Sequence, residues 1–289
     1  MLRYILLVTL AASALAFVEP QLDYHDSVGI PLAKTIREAE EKLLASQDIS
    51  PKIVGGVIAP AAQHPYLGGL VIDLVNEVGN SVCGSSLLSM NRLVTAAHCW
   101  ISTRHQAWRF TVVLGSQYLF FGGTHRIPTS NVVMHQQYNM QSLANDVAMI
   151  YLPTNVVFSQ TVQPISLPSG NQLWDSFAGN WAVASGFGKT LDGNQNQFVS
   201  HVTLQVITVQ ACQQVYGPAQ VLASNICTNG AGGVGICGGD SGVLLGFYYG
   251  LRKIREFVSF VASNGCQLGH PSAFARITSF QSFITEHLW

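Results

Sequence analysis

Three short segments place a histidine, an aspartate and a serine among neighbours that suit catalysis. His98 lies in Leu-Val-Thr-Ala-Ala-His-Cys, where a strand runs into small residues and a cysteine that can pin the imidazole beside a crosslink. A lone histidine is usually structural, and we assign no function to the seven other histidines after residue 52: His64, His105, His125, His135, His201, His270 and His287. His98 is therefore the candidate for moving a proton.

Asp146 and Ser241 supply the two groups that such a histidine needs. Asp146 enters an apolar strand in Asn-Asp-Val-Ala-Met-Ile, where a carboxylate is costly to bury unless it is hydrogen-bonded, and a buried imidazole is its natural partner. Ser241 lies in Cys-Gly-Gly-Asp-Ser-Gly, whose glycines let the backbone bend so that the hydroxyl and nearby amide hydrogens face one substrate atom. We predict that Ser241 is a nucleophile.

The composition indicates a packed globular protein. Of 289 residues, 48% are hydrophobic, which is enough chain for one large core or two moderate ones. Charged residues make up only 10% and the formal net charge is −1, so the sequence argues against a nucleic-acid partner and against a disordered acidic tail.

The N-terminus is typical of a secretory signal. Arg3 precedes a short apolar run, and small residues end at Ala14-Leu15-Ala16, so we predict cleavage after Ala16 and a secreted protein. The alternative, a buried N-terminal helix, does not account for these three features occurring together. The run is too short to span a bilayer, no later stretch reaches that length, and no membrane association is expected.

Six cysteines are an even set for an oxidising compartment, and fifteen disulfide connectivities are open to them. A zinc site is the competing explanation, but the chain has no C-x-x-C and no H-x-x-x-H pair. Calcium is also unsupported, because the segment from Cys99 to Asn145 contains no acidic residue. We expect no metal and no other cofactor.

Residues 17–52 differ from the rest of the chain. Seven acidic residues and no cysteine fall there, and Lys34–Ser46 has helical character, so we interpret residues 17–52 as a separate propeptide. The junction Lys52-Ile53-Val54-Gly55-Gly56 invites cleavage after Lys52.

From Ile53 onward, short β-branched and aromatic runs alternate with turn residues, which predicts antiparallel all-β architecture. The clearest runs are residues 68–74, 109–114, 146–152 and 201–206. Phe280, Phe283, Ile284 and Leu288 recur at helical spacing and predict a C-terminal amphipathic helix.

The motifs T-A-A-H-C, N-D-V-A and G-D-S-G, in that order, resemble those of the chymotrypsin-type serine peptidases, and the resemblance runs over residues 53–289. It implies two antiparallel Greek-key β-barrels with the active site between them. It also implies that His98 takes and returns a proton, that Asp146 fixes the imidazole tautomer, and that the backbone amides of Gly239 and Ser241 form the oxyanion hole.

The same resemblance implies three disulfides, Cys83 with Cys99, Cys212 with Cys227, and Cys237 with Cys266. It further implies that cleavage after Lys52 frees an ammonium at Ile53, which pairs with Asp240 and sets the backbone around the nucleophile. The uncleaved precursor should then be nearly inactive.

The resemblance also places the primary specificity pocket. Gly235 stands at its base where an aspartate would favour arginine and lysine, and Val261 and Ser272 form its walls beside the substrate-pairing strand at Ser259. All four positions are uncharged, so we expect cleavage after apolar residues. Val261 narrows the pocket and favours Ala, Val or Leu as in elastases, while Phe and Tyr remain open as in chymotrypsins.

One departure supports an alternative. Gly242-Val243-Leu244 replaces the glycine-glycine-proline usual behind the nucleophile, which would suit a catalytically weak homologue that binds partners through the same fold. No triad member is lost, however. A pure recognition module, the third class, would not explain the Lys52–Ile53 junction.

After Lys52, only two lysines remain against seven arginines, which suits an alkaline lumen because arginine stays charged where lysine titrates. We therefore expect an insect-type digestive enzyme of the gut lumen, with no regulatory domain before the activation site. Its expected partners are protein or peptide substrates, a trypsin-like activating protease and protein protease inhibitors, and we expect a monomer.

Overall fold

The structure is a computed structural model that describes residues 23–46, 61–188, 199–233, 235–236, 240–242, 244–249, 252–257 and 269–289. These residues form thirteen strands and three α-helices. The strands are β1 (Leu67–Leu74), β2 (Asn80–Leu87), β3 (Arg92–Thr95), β4 (Ala107–Leu114), β5 (His125–Thr129), β6 (Val132–Met134), β7 (Ala148–Tyr151), β8 (Trp181–Gly186), β9 (Ser200–Ile207), β10 (Asn225–Thr228), β11 (Leu244–Tyr249), β12 (Arg252–Phe257) and β13 (Ser272–Ala275). The α-helices are α1 (Ile30–Ser46), α2 (Val209–Tyr216) and α3 (Gln281–Glu286).

The strands form two curled antiparallel sheets, which confirms the predicted all-β architecture. The first has the order β5-β4-β1-β2-β3-β7-β6 and the second has the order β12-β11-β8-β9-β10-β13. The four runs expected from the sequence correspond to β1, β4, β7 and β9, with bounds that differ by one or two residues. The β-branched and aromatic runs between turn residues therefore gave the correct elements.

One buried hydrophobic cluster spans the two sheets. Val71 of β1 and Val82 of β2 belong to the same buried cluster as Ala182 of β8 and Leu204 of β9. Side chains of the C-terminal segment close this cluster, with Phe280, Phe283 and Ile284 at most 9% exposed. The predicted C-terminal helix is confirmed, although α3 has only six residues after a single 3₁₀ turn.

The predicted helix in residues 17–52 is also confirmed, and it is not separate from the sheets. A π-helical turn at His25–Gly29 leads into α1, which begins four residues before the expected start. Leu32, Ala33 and Ile36 are at most 2% exposed and belong to the same core cluster as Val82. This N-terminal segment, residues 23–46, therefore packs as part of the folded molecule.

Within the stretches of chain that the structure describes, no helix is both long enough and apolar enough to cross a membrane.

Candidate active site

His98 is positioned by the end of strand β3. The chain leaves β3 at Thr95, passes through an extended Ala96 and makes a 3₁₀ turn at Ala97–Cys99 that carries the imidazole. A disulfide from Cys99 to Cys83 ties this turn to β2. His98 is 4% exposed, so both the turn and its side chain are held in the interior.

Asp146 lies two residues before β7, which pairs with β3 so that Ala148 is opposite Thr95. This register brings Asp146 against His98. One carboxylate oxygen, Oδ2, lies 2.6 Å from His98 Nδ1, and the other, Oδ1, accepts the His98 backbone N–H at 2.8 Å. Asp146 is 1% exposed. A buried carboxylate that holds both the ring and the backbone of one histidine fixes the position of the imidazole.

The turn before Asp146 is shaped by its neighbour. Asn145 has a φ of 56°, the left-handed region that asparagine tolerates better than most residues, and its side-chain amide donates to the Gln137 carbonyl at 2.9 Å. Tyr138 also packs close by. Burial and the negative charge of Asp146 raise the pKa of Tyr138, so its hydroxyl stays neutral.

Ser241 is positioned by the second sheet and contacts the first. It precedes β11, and its backbone carbonyl accepts the Gly84 N–H of β2 at 2.6 Å. Gly242, the next residue, has a φ of 80°, and a β-carbon there would overlap the Gly84 carbonyl oxygen and the Thr95 hydroxyl. Glycine is therefore required at position 242.

The catalytic hydrogen bond between imidazole and serine is not made in this state. His98 Nε2 is buried and makes no hydrogen bond within the described residues. The Ser241 side chain instead lies beside the hydroxyl of Tyr24, which donates to the Val82 carbonyl at 2.7 Å.

Two residues of the expected pocket, Gly235 and Ser272, are described, and both are uncharged. A β-carbon on Gly235 would lie 3.0 Å from Ser272 Oγ, and that oxygen accepts the Ile236 N–H at 3.3 Å. Gly235 and Ser272 are thus neighbours, as the pocket assignment requires. The other expected elements, Gly239 of the oxyanion hole and Ser259 and Val261 of the pocket, lie outside the described residues.

The expected activation elements are described in part. Asp240 accepts the Gly188 N–H on Oδ1 at 2.8 Å, so its carboxylate faces the end of strand β8. Lys52 and Ile53 lie outside the described residues, and so does Val243.

Two of the three implied disulfides are present. Besides Cys83–Cys99, Cys212 of α2 bonds Cys227 of β10. Cys237 and Cys266 lie outside the described residues.

Sequence reasoning missed Tyr24 and His25. The Tyr24 ring centroid lies 4.8 Å from that of His98, and the neighbouring His25 is fully buried with Nδ1 2.8 Å from Ser81 Oγ. A signal was available, because buried residues in the same segment recur at helical spacing at Leu32 and Ile36. That stripe indicates a helix that packs against another surface.

Comparisons with known proteins agree with this geometry. The family model described as Trypsin matches residues 53–284. The chain is 33% identical over 243 residues to Serine protease 1 of Drosophila melanogaster, which covers 83% of this chain and 87% of that protein. It is 34% identical over 239 residues to Collagenase of Hypoderma lineatum, covering 82% and 87% respectively.

A solved structure titled as an HL collagenase superposes with a TM-score of 0.74 at 32% identity, covering 82% of this chain and 98% of that chain. The fold and the His98–Asp146 pair beside Ser241 define a serine endopeptidase of the trypsin-like fold. The chain belongs to the trypsin family. It is a hydrolase whose substrates are proteins or peptides.

Proposed function

We propose that this protein is the secreted zymogen of a digestive endopeptidase that cleaves peptide bonds after apolar residues. Residues 1–16 are its signal peptide, residues 17–52 its propeptide and residues 53–289 its peptidase domain. The observation that carries the proposal is the His98–Asp146 pair, two hydrogen bonds of 2.6 and 2.8 Å beside a serine that is not yet bonded to the imidazole. Such a site has its histidine and aspartate in place but lacks the hydrogen bond that activates the serine.

In the mature enzyme, His98 Nε2 accepts the Ser241 proton while the serine oxygen attacks the substrate carbonyl carbon. Asp146 holds the Nδ1–H tautomer and stabilises the imidazolium that forms. His98 then gives the proton to the leaving amine, which leaves an ester between Ser241 and the acyl part of the substrate. Water attacks this ester while His98 takes its proton, and the acid and free Ser241 are released. The backbone amides of Gly239 and Ser241 bind the oxyanion.

Activation follows cleavage after Lys52 by a trypsin-like protease. The new ammonium of Ile53 pairs with the carboxylate of Asp240, next to the nucleophile, and sets the backbone of Gly239 and Ser241. The family match begins at Ile53, which supports this boundary.

The pocket supports an apolar preference. Gly235 brings no charge and lies against the hydroxyl of Ser272, so a substrate arginine would be buried without a partner. Val261 would then narrow the mouth of the pocket through which the substrate side chain enters. The low lysine count after Lys52 supports a digestive role in the gut lumen. We also propose that the enzyme is a monomer and that protein protease inhibitors bind it.

The test is to measure initial hydrolysis rates before and after cleavage at Lys52, on peptide amides that differ only in the residue before the cleaved bond. We expect activity only after cleavage, with Ala, Val, Leu or Phe preferred over Arg, and none in the Ser241→Ala control. An arginine preference would overturn the pocket assignment. No turnover despite a sequenced Ile53 N-terminus would favour the catalytically weak homologue and implicate Val243 and Leu244.

A further inference from the structure

The N-terminal segment, residues 23–46, packs directly against the catalytic residues. Tyr24 is 5% exposed, its ring packs against that of His98, and its hydroxyl donates to the Val82 carbonyl beside the Ser241 side chain. The Val82 carbonyl can accept the Tyr24 hydroxyl because β3 pairs with β2 only at Ser86 and Leu87, the last two residues of β2. A hydroxyl rather than a peptide carbonyl faces the nucleophile, so Tyr24 fills the site without offering a bond to cleave.

Apolar contacts anchor the segment beyond the site. Val28 and Tyr24 belong to the buried cluster that includes Leu70 and Cys83 of the first sheet. On the next turns of the helix, Leu32 and Ile36 are 0% and 1% exposed. Side chains so fully covered stabilise the packing as core residues do.

Glu40 provides a directional anchor at the far end of α1. Its carboxylate accepts the backbone N–H groups of Leu119, Phe120 and Phe121 at 2.6, 2.9 and 2.9 Å, and it is 1% exposed. Three amide donors converge on one side chain of the segment, so this loop of the peptidase is shaped to receive a carboxylate.

An ionic cluster holds the near end. Arg104 Nη1 lies 3.2 Å from a carboxylate oxygen of Asp23 and 3.2 Å from one of Asp26. His105 Nε2 lies 3.2 Å from Asp26 Oδ1 and 3.4 Å from Glu77 Oε1. Both aspartates of the segment, Asp23 and Asp26, thus face basic groups of the peptidase, on either side of Tyr24.

We propose that the N-terminal segment is a non-covalent inhibitor of the mature peptidase, which stays bound after cleavage at Lys52 and must be removed before substrate can enter. The inference rests on the proposed function, because it assumes that Lys52 is the activation site. None of the contacts above passes through Lys52, so cutting there leaves all of them in place. Cleavage and release are then two separate steps of activation.

The test requires cleavage at Lys52 alone, because Lys34, Arg37 and Lys42 lie inside the segment itself. The substitutions Ile49→Asp, Ser50→Asp and Pro51→Asp, with natural Asp48, place four aspartates before Lys52. A protease specific for that sequence then cuts the full-length chain once, which mass spectrometry verifies. Hydrolysis of a peptide amide is measured over a thousandfold dilution series, and size-exclusion chromatography of the Ser241→Ala form shows whether the segment co-elutes with the peptidase.

We expect the specific activity of the cut enzyme to rise on dilution and the segment to co-elute at high concentration. Tyr24→Ala should weaken binding about 30-fold or more, equivalent to about 2 kcal/mol, as for other buried interfacial tyrosines. Tyr24→Phe keeps the ring and loses the hydrogen bond to the Val82 carbonyl, so binding should weaken about fivefold. Lys34→Ala, on the exposed face of α1, should change binding less than twofold.

A segment that separates from the cut wild type as readily as from the Tyr24→Ala form would overturn the inference. So would a segment that co-elutes while specific activity is the same at every dilution. Failure of the proposed function has a different signature, namely no hydrolysis in any cut protein, Tyr24→Ala included, at any dilution. In that case co-elution still decides whether the segment binds as described.

Discussion

The substitution Gly29→Ala should weaken binding of the N-terminal segment without changing the sequence of the peptidase domain. A β-carbon on Gly29 would overlap the hydroxyl oxygen of Ser81 and lie 3.1 Å from Tyr24 Cε1. Ser81 has little room to yield, because it is fully buried in β2 opposite Ile72 and its hydroxyl is held 2.8 Å from His25 Nδ1. The methyl group therefore displaces the segment or breaks that hydrogen bond.

The cost follows from overpacking at a rigid site. Extra carbon in a well-packed interior costs about 1–3 kcal/mol. Since about 1.4 kcal/mol is tenfold in an equilibrium constant, Gly29→Ala should weaken binding of the segment about 5- to 150-fold. Ser81→Ala removes the obstructing oxygen and leaves its β-carbon 3.3 Å from the new methyl group, so in that background Gly29→Ala should cost much less.

The assay is the dissociation constant of the segment from the singly cut Ser241→Ala protein, measured for the four members of this double-mutant cycle. Thermal unfolding of the separated peptidase, which should be the same for Gly29→Ala and wild type, is the control for folding. An equal cost of Gly29→Ala with and without Ser81→Ala would refute the contact between the two residues, and with it the described seating of Tyr24.

Four further outcomes are expected. Burial, followed by the neighbouring imidazoles of His98 and His105, lowers the pKa of His25 from 6.5 to about 3. The stabilising contribution of a group whose bound-state pKa is lowered is present above its free value and is lost as pH falls. Relative to its affinity well above pH 6.5, the segment should therefore bind about 11-fold more weakly at pH 5.5. In His25→Gln, the dissociation constant measured over the same pH range should not show this weakening. Glu40→Ala leaves three amides without their carboxylate and should weaken binding about tenfold or more in the same assay, with Glu40→Gln closer to wild type. Prolonged trypsin treatment, which can cut the released segment at its basic residues, should give a specific activity that no longer rises on dilution; a remaining rise would argue against loss of an inhibitor. Asp146→Asn should lower kcat by roughly the 10⁴-fold that this change produces in other Ser-His-Asp peptidases, with KM within a few-fold, because an amide favours the wrong tautomer of His98.

The sequence was most informative where local motifs carry the chemistry. The small residues and cysteine around His98 and the glycines that let the backbone bend around Ser241 are local features, so they can be recognised without a structure. The meeting of His98 with Asp146 could not be derived that way, because it depends on the pairing of β3 with β7, where Thr95 lies opposite Ala148. The cost of burying Asp146 indicated an imidazole partner, but not the strand pairing that brings the two residues together.

The seating of the N-terminal segment was beyond the sequence for a related reason. Helical character in Lys34–Ser46 was readable, and so was the apolar stripe, but the surface that receives them is built from distant parts of the chain. Ser81, Val82 and the amides of residues 119–121 become a binding surface only after the first sheet forms. An acidic, cysteine-free segment looks separable until its carboxylates are seen beside Arg104 and the Leu119 loop.

The short connection between α1 and the peptidase has a consequence in terms of effective concentration. Helix α1 ends at Ser46, only six residues before Lys52. A short covalent link of this kind holds two binding partners at an effective concentration of about 1 mM, so a segment with a dissociation constant of about 1 μM would keep about 999 of 1,000 precursor molecules closed. After cleavage, the relevant concentration is that of the enzyme itself, and at about 10 nM only about 1% would remain bound. Dilution after cleavage would then complete activation without a second signal.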